Sequence, residues 1–186
     1  RGLLYALRNN GEADNVMVLA RRATDCTFSA MARADLDVLG GLIDDDVAWH
    51  PPLDDVDKPG VVPVELVTPL VQHASLVKIK GVEGGRYGER KLGMIMGVDP
   101  DRVHRMHEGF KVIAGRRLDS EDERVAMVGA LTWARLGISK EQLKVGSVIE
   151  FNGVEWPVVG IFEVPGNSAD GQIWVPIDEV ITILNR

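Results

Sequence analysis

The sequence predicts an α+β fold, on three observations. Short β-like runs and at least three helical stretches follow one another without the strict strand-helix rhythm of a parallel sheet. Asn152-Gly153 stands between two alternating runs. That is the strongest short-range hairpin signature, because both residues tolerate the positive φ of a type I′ turn. Residues 51–63 hold four prolines and three aspartates, which interrupts the pattern in the middle of the chain. The expected architecture is a mixed α/β lobe built from both chain ends, residues 1–50 and 112–186. A more β-rich lobe, residues 51–111, is inserted between them.

Taken in order, residues 16–20 (Val-Met-Val-Leu-Ala) are long enough for a buried strand. Thr27 or Ser29 then caps a helix reaching about Leu39, with Met31, Ala34, Val38 and Leu42 along one side. Gly40-Gly41 stops it. Asp44-Asp45-Asp46 leads into a short Val47-Ala48-Trp49, and residues 51–63 read as a loop. Residues 64–71 are β-like but contain Pro69, which has no N–H to donate, so they read as an edge strand. Residues 76–82 alternate and predict another strand, residues 81–93 a glycine-rich loop or hairpin tip, and residues 94–98 a further strand. Asp99-Pro100 opens a short helix, since proline suits the first turn. Residues 110–114 form a strand ending at Gly115, and residues 124–128 another. A helix runs from about Ala130 to Gly137. Residues 147–151 and 154–161 are the arms of the hairpin, with Val154, Trp156 and Val158 on its core face and Glu155 and Pro157 opposite. Residues 172–175 are the last strand, and Pro176-Ile177-Asp178 opens the final helix.

Composition narrows the function classes. The chain has 186 residues, 45% of them hydrophobic, with 21 Lys and Arg against 28 Asp and Glu, a net charge of −7. A nucleic-acid-binding surface wants a basic face, and docking to anionic lipid wants basic clusters. The single cysteine, Cys26, excludes an intramolecular disulfide framework and a cysteine-based zinc site. No apolar run approaches the ~20 residues that span a bilayer. The sequence opens at Arg1, which reads as a piece of a longer protein. Its ends are apolar: Leu3, Leu4, Tyr5 at one, Ile181, Ile183, Leu184 at the other. They fit either a docked terminal strand and helix or the stubs of flanking membrane helices.

No constellation for catalysis emerges. His104, His107 and Glu108 form H-x-x-H-E, which puts two imidazoles on one helical face. A zinc-protease helix needs H-E-x-x-H instead. His50 and His73 are the only further histidines, and the pair reads as solvated surface residues. Asp44, Asp45, Asp46, Asp54, Asp55 and Asp57 lack the alternation and closing Glu of a calcium loop. Gly84-Gly85-Arg86-Tyr87-Gly88 lacks the Lys-Ser/Thr ending of a phosphate loop. Ser168, within residues 166–171, lies outside any G-x-S-x-G elbow, and Cys26 has no catalytic context. No catalytic, cofactor-binding or metal-ligating residue is assigned.

The stretch 115–176 carries a resemblance. Its landmarks are Gly115-Arg116, Asp122-Glu123, Val128-Gly129, Leu136-Gly137, Val145-Gly146, Val158-Val159-Gly160 and the Ile-Trp-Val-Pro of residues 173–176. In order and spacing these resemble the extracytoplasmic, periplasmic core domain of ABC transporter permeases of the MacB/FtsX class. The strand at 16–20, the Ser29-capped helix, Lys80-Gly81-Val82 and Gly97-Val98-Asp99 are similar to the earlier parts of that pattern. Residues 44–111 match no subfamily. The resemblance implies a membrane-proximal α+β lobe and an inserted β-rich lobe, with no catalytic residues and no cofactor. It implies a cell-membrane protein whose domain is extracytoplasmic and flanked by membrane helices. The partners it implies are a separate cytoplasmic ABC ATPase subunit, a second permease subunit in a homodimer or heterodimer, and a periplasmic adaptor or cargo. The rivals are a secreted metal-dependent hydrolase using His104 and His107, and a free-standing binding module.

Overall fold

Apolar residues at every second position commit a segment to a sheet with one buried face, and the C-terminal two thirds of the chain is built this way. The structure, a computed structural model, describes residues 6–8, 16–18, 46–49, 60–63, 66, 68–82 and 90–184. Two small antiparallel sheets come first. One pairs β1 (Ala6–Arg8) with β2 (Val16–Val18), the other β3 (Asp46–Trp49) with β4 (Gly60–Pro63). β4 occupies the end of the expected proline-rich loop: Val61-Val62 is a β-branched pair and finds a partner strand in Val47-Ala48. The expected helix at 29–39, the acidic cluster apart from Asp46, and Gly84 to Gly88 lie outside the described residues.

The main sheet has seven strands in the order β7-β10-β8-β11-β6-β5-β9. These are β5 (Leu70–Ile79), β6 (Arg90–Val98), β7 (Lys111–Gly115), β8 (Ala126–Gly129), β9 (Val148–Phe151), β10 (Val154–Glu163) and β11 (Ile173–Pro176). β9 also pairs with β10, so β10, β8, β11, β6, β5 and β9 close into a six-stranded ring, with β7 added to β10 outside it. Parallel pairs (β10 with β8, β11 with β6) and antiparallel pairs alternate irregularly, as an α+β fold allows. The expected division at residue 111 runs through this sheet, because β5 and β6 hydrogen-bond with β9 and β11.

β5 starts directly after Pro69 and is longer than the alternating run that announced it. Proline ends pairing where its missing N–H would be needed, and the strand begins at the first residue that can donate. The Asp99 turn is tighter than the helix expected: Arg102 and Val103 both donate to the Asp99 carbonyl, and a 3-10 turn spans Val103–Met106. α1 (Thr132–Arg135) ends before Gly137, and α2 (Ile177–Leu184) follows β11 directly.

Two cores result. Val77, Ile79, Ile95, Ala126, Val128, Ile149, Phe151, Trp156, Val158, Ile173 and Val175 come from all six ring strands and meet in one cluster, the inside of the ring. Leu136, Leu143 and Val180 close it. The alternate residues Met96, Met127 and Trp174, and Phe162 beyond the register shift between Val158 and Gly160 of β10, point outward into a second cluster with Val98, Val103, Leu118, Val164 and Ala169. The hairpin is as expected. Asn152 and Gly153 have φ of 50° and 76°, and Trp156 and Val158 are buried with 0% and 1% exposure. Trp156 stacks on Phe151, centroids 4.7 Å apart. Pro157 occupies the last rung with β9 and precedes the pairing with β8, which begins at Val158, so its missing N–H breaks no ladder.

Candidate functional site

The residues with chemical potential gather on the outside of the ring. There the 3-10 turn lays His104 and His107, one turn apart, over the second core. His107 stacks on Trp174 with centroids 5.4 Å apart, Phe110 stacks on the same ring at 5.8 Å, and His104 lies 6.2 Å from Phe110. Phe162 completes the group, 4.0 Å from Trp174. Both histidines are therefore half-buried, which corrects the expectation of fully solvated rings. An imidazole presents two apolar faces, and here those faces pack against aromatic rings. Glu108 is exposed, and the described residues include no group of three or more His, Cys, Asp or Glu placed to hold a metal ion. His73 sits elsewhere, its Nε2 3.4 Å from Asn152 Nδ2. His50 and Cys26 lie outside the described residues.

The landmark residues of the C-terminal third prove to be backbone contacts and one ion pair. Gly115 has φ of +73°, and a Cβ on it would stand 2.1 Å from the Val159 carbonyl oxygen. A Cβ on Gly160 would stand 2.0 Å from the Arg116 carbonyl oxygen. Arg116 N–H donates to Val159 O at 3.0 Å, so the two glycines let β7 and β10 meet where the chain leaves the sheet. Arg116 then grips Asp122 with both terminal nitrogens, at 2.6 and 2.7 Å, and Asp122 also accepts the Asp119 N–H. The Arg116 guanidinium, helped by that amide, holds the Asp122 carboxyl below the usual carboxylate range, against a smaller opposing effect of burial.

Within residues 166–171 the structure places a structural carboxylate. Asp170 is buried, and its Oδ1 accepts the Val164 N–H at 2.6 Å. Burial pushes its carboxyl up, the amide opposes this, and the charge of Glu163 adds to it. Its carbonyl accepts the Leu131 N–H at 2.7 Å, and a Cβ on Gly129 would come within 2.3 Å of that same oxygen. Sequence reading weighed Ser168 and passed over Asp170. The signal available was Asn167 three residues earlier, whose side chain caps the turn by accepting the Ala169 N–H.

Exposed apolar residues form the remaining feature. Leu76 on β5 and Leu92 on β6 are direct cross-strand partners and are 56% and 66% exposed. Ala74 and Met94 form the next rung, Ala74 exposed and Met94 half-buried against the outer core. The sequence expectation has Leu76 and Met94 in strands but Leu92 in the loop at 81–93, and Ala74 between two strand runs; the structure extends both strands to include them.

Among the described residues no helix is long and apolar enough to cross a membrane. A family model described as the MacB-like periplasmic core domain matches residues 5–185. No curated protein matches. Among solved structures, the chain is similar to the extracellular domain of the noncanonic ABC-type transporter YknZ from Gram-positive bacteria. That match has 13% identity, covers 84% of this chain and 67% of that one, and has a TM-score of 0.51, a likeness of fold alone. It is also similar to the periplasmic region of MacB from Actinobacillus actinomycetemcomitans, at 16% identity and a TM-score of 0.48. That match covers 64% of this chain, which spans about half (51%) of the MacB chain.

Proposed function

The chain belongs to the MacB-like periplasmic core domain family, whose model matches residues 5–185, and on that premise we propose that it is the extracytoplasmic domain of an ABC transporter permease subunit. It couples ATP-driven motion of membrane helices to the export or release of a substrate, or to the action of a periplasmic or extracellular partner. A separate cytoplasmic ATPase subunit hydrolyses ATP, and the permease works as a homodimer or heterodimer. The domain itself is non-catalytic, a relay of motion.

The extent of the family match carries this reading. The seat of α2 supports it: a Cβ on Gly97 would lie 3.2 Å from Val180 Cβ, so the helix sits directly on the backbone of β6. A displacement of α2 reaches the sheet through this contact without a compliant side chain between. A hydrolase built on His104 and His107 is the weaker reading, because both rings pack on aromatic neighbours.

The test uses the full-length permease in proteoliposomes with its ATPase subunit. Two consecutive membrane helices enter the bilayer side by side, so spin labels at residues 2 and 185 are expected close together. The distance from α2 to a label on β7 is expected to change with ATP. Ends at opposite poles, or failure to co-purify with an ATPase subunit, would overturn the proposal.

A further inference from the structure

We propose that the outer face of β5 and β6 is a docking surface for a protein segment that presents apolar side chains flanked by carboxylates. The inference deepens the permease reading and rests on it for the compartment in which the partner is met.

The sheet itself does not require Leu76 and Leu92 where they are. The inner residues of the same strands, Val77, Ile79 and Ile95, already fill the ring. Outward positions on a solvated face accept polar residues at no cost to the core. Yet the two leucines stand directly opposite each other, and they are the two most exposed large hydrophobic residues among those described. With Ala74 and Met94 they make a two-rung apolar ladder, and Met94 joins it to the buried outer core. A contiguous exposed patch is more informative than scattered apolar residues, which every surface carries.

Charge selects the occupant. The outward positions of β5 and β6 beside the ladder hold Lys78 and Arg90 and no aspartate or glutamate, in a chain where acidic residues outnumber basic ones, 28 to 21. Lys78 and Arg90 are direct cross-strand partners, one outward rung beyond the leucines. Two cations so placed repel each other, and a partner carboxylate between them would relieve this. Lys78 also faces Glu150 across β9, which leaves Arg90 as the more available of the two. A second copy of the chain fits poorly, since a symmetric contact would bring these cations together.

A lipid surface fits less well than a protein. α2, which on the permease reading runs on toward the membrane, seats on β6 at Gly97. Leu92 is five residues along the strand, roughly 17 Å away at about 3.4 Å per residue. The ladder is thus displaced along the sheet from the membrane-directed helix.

The test titrates the chain, by NMR, with a synthetic monomeric peptide carrying leucines at i, i+3, i+4 and i+7 and glutamates on its flanks. Its lysine-for-glutamate counterpart is the control. Expected are shifts at the methyls of Leu76, Leu92 and Met94, and binding at least tenfold weaker for the lysine peptide. Arg90→Glu should weaken binding of the glutamate peptide by a similar factor. The double variant Leu76→Ser, Leu92→Ser should abolish it while leaving the thermal midpoint in place. Equal binding of both peptides, or shifts confined to other surfaces, would overturn the proposal. So would a response to anionic phospholipid vesicles alone, or concentration-dependent shifts of the same methyls without peptide, which would assign the face to lipid or to a second copy. Co-purification of the permease with its ATPase is independent of this face, so the two readings fail separately.

Discussion

Two aspartates of opposite electrostatic sense contribute to the pH dependence of stability. Asp122 is ion-paired, so its folded pKa lies below the unfolded one. Its contribution is present above the ordinary carboxylate range and is lost as pH falls through the folded value. Arg116 is half exposed, so solvent screening limits the pair to about 1 kcal/mol. Asp170 is buried and its folded pKa is raised. Its contribution is complete below the ordinary range and is lost as pH rises through the folded value. Chemical denaturation from pH 3 to 7 is expected to separate them. Asp122→Asn should flatten the loss on the acid side. Asp170→Asn, which keeps an oxygen for the Val164 amide, should leave neutral-pH stability unchanged or improve it by about 1 kcal/mol or less. A large loss in Asp170→Asn at pH 7 would mean that the carboxylate charge itself is needed. Gly129→Ala meets backbone rather than a movable side chain, so it should cost roughly 1–3 kcal/mol, at the upper end of overpacking. An unchanged denaturation midpoint would contradict the close approach to Asp170.

The β9–β10 hairpin shows at the scale of an element how local chemistry and packing combine. Asn152 and Gly153 supply the turn, and tertiary contacts then hold it: Ser75 Oγ donates to Asn152 Oδ1 at 3.0 Å. Gly153→Val is expected to destabilise, because a β-branched residue resists positive φ, although the space around Gly153 is open. Trp156→Ala should cost roughly 3–5 kcal/mol, as expected for a fully buried ring. Urea denaturation of the two variants measures both, and a loss under about 1 kcal/mol for Trp156→Ala would contradict its burial at the ring's centre. Among the described residues the indole Nε1 of Trp156 finds no hydrogen-bond partner.

The whole molecule is expected to be mainly monomeric when studied apart from a membrane. On the permease reading proposed above, membrane helices hold two copies at an effective concentration that reaches about the millimolar range, so the domains need little affinity of their own. The net charge of −7 opposes self-association, and the exposed apolar ladder is far smaller than an obligate interface requires. Sedimentation velocity at micromolar concentration decides this, and a tight dimer there would make the domain itself the dimerisation element.

What the sequence determined by itself is what lies within a few residues. The Asn152-Gly153 turn, the core face of Val154, Trp156 and Val158, the stop at Gly137 and the opening of α2 after Pro176 all follow from local φ preferences and period-two patterning. Tertiary structure decided the rest. The expected division at residue 111 follows composition, but β5 and β6 pair with β9 and β11, strands far along the chain, and no local signal specifies which distant edge a strand meets. The histidines read as surface residues because the ring on which His107 packs, Trp174, comes from β11, far along the chain, and the ring against which His104 lies, Phe110, is itself seated on Trp174. The glycines of the Val-Gly landmarks were visible as a pattern; only the fold showed that Gly129 and Gly160 are there because another backbone passes where a side chain would stand. Closure of the ring, and with it the choice of which alternate residues face inward and which remain as the outer ladder, is a property of all six strands together.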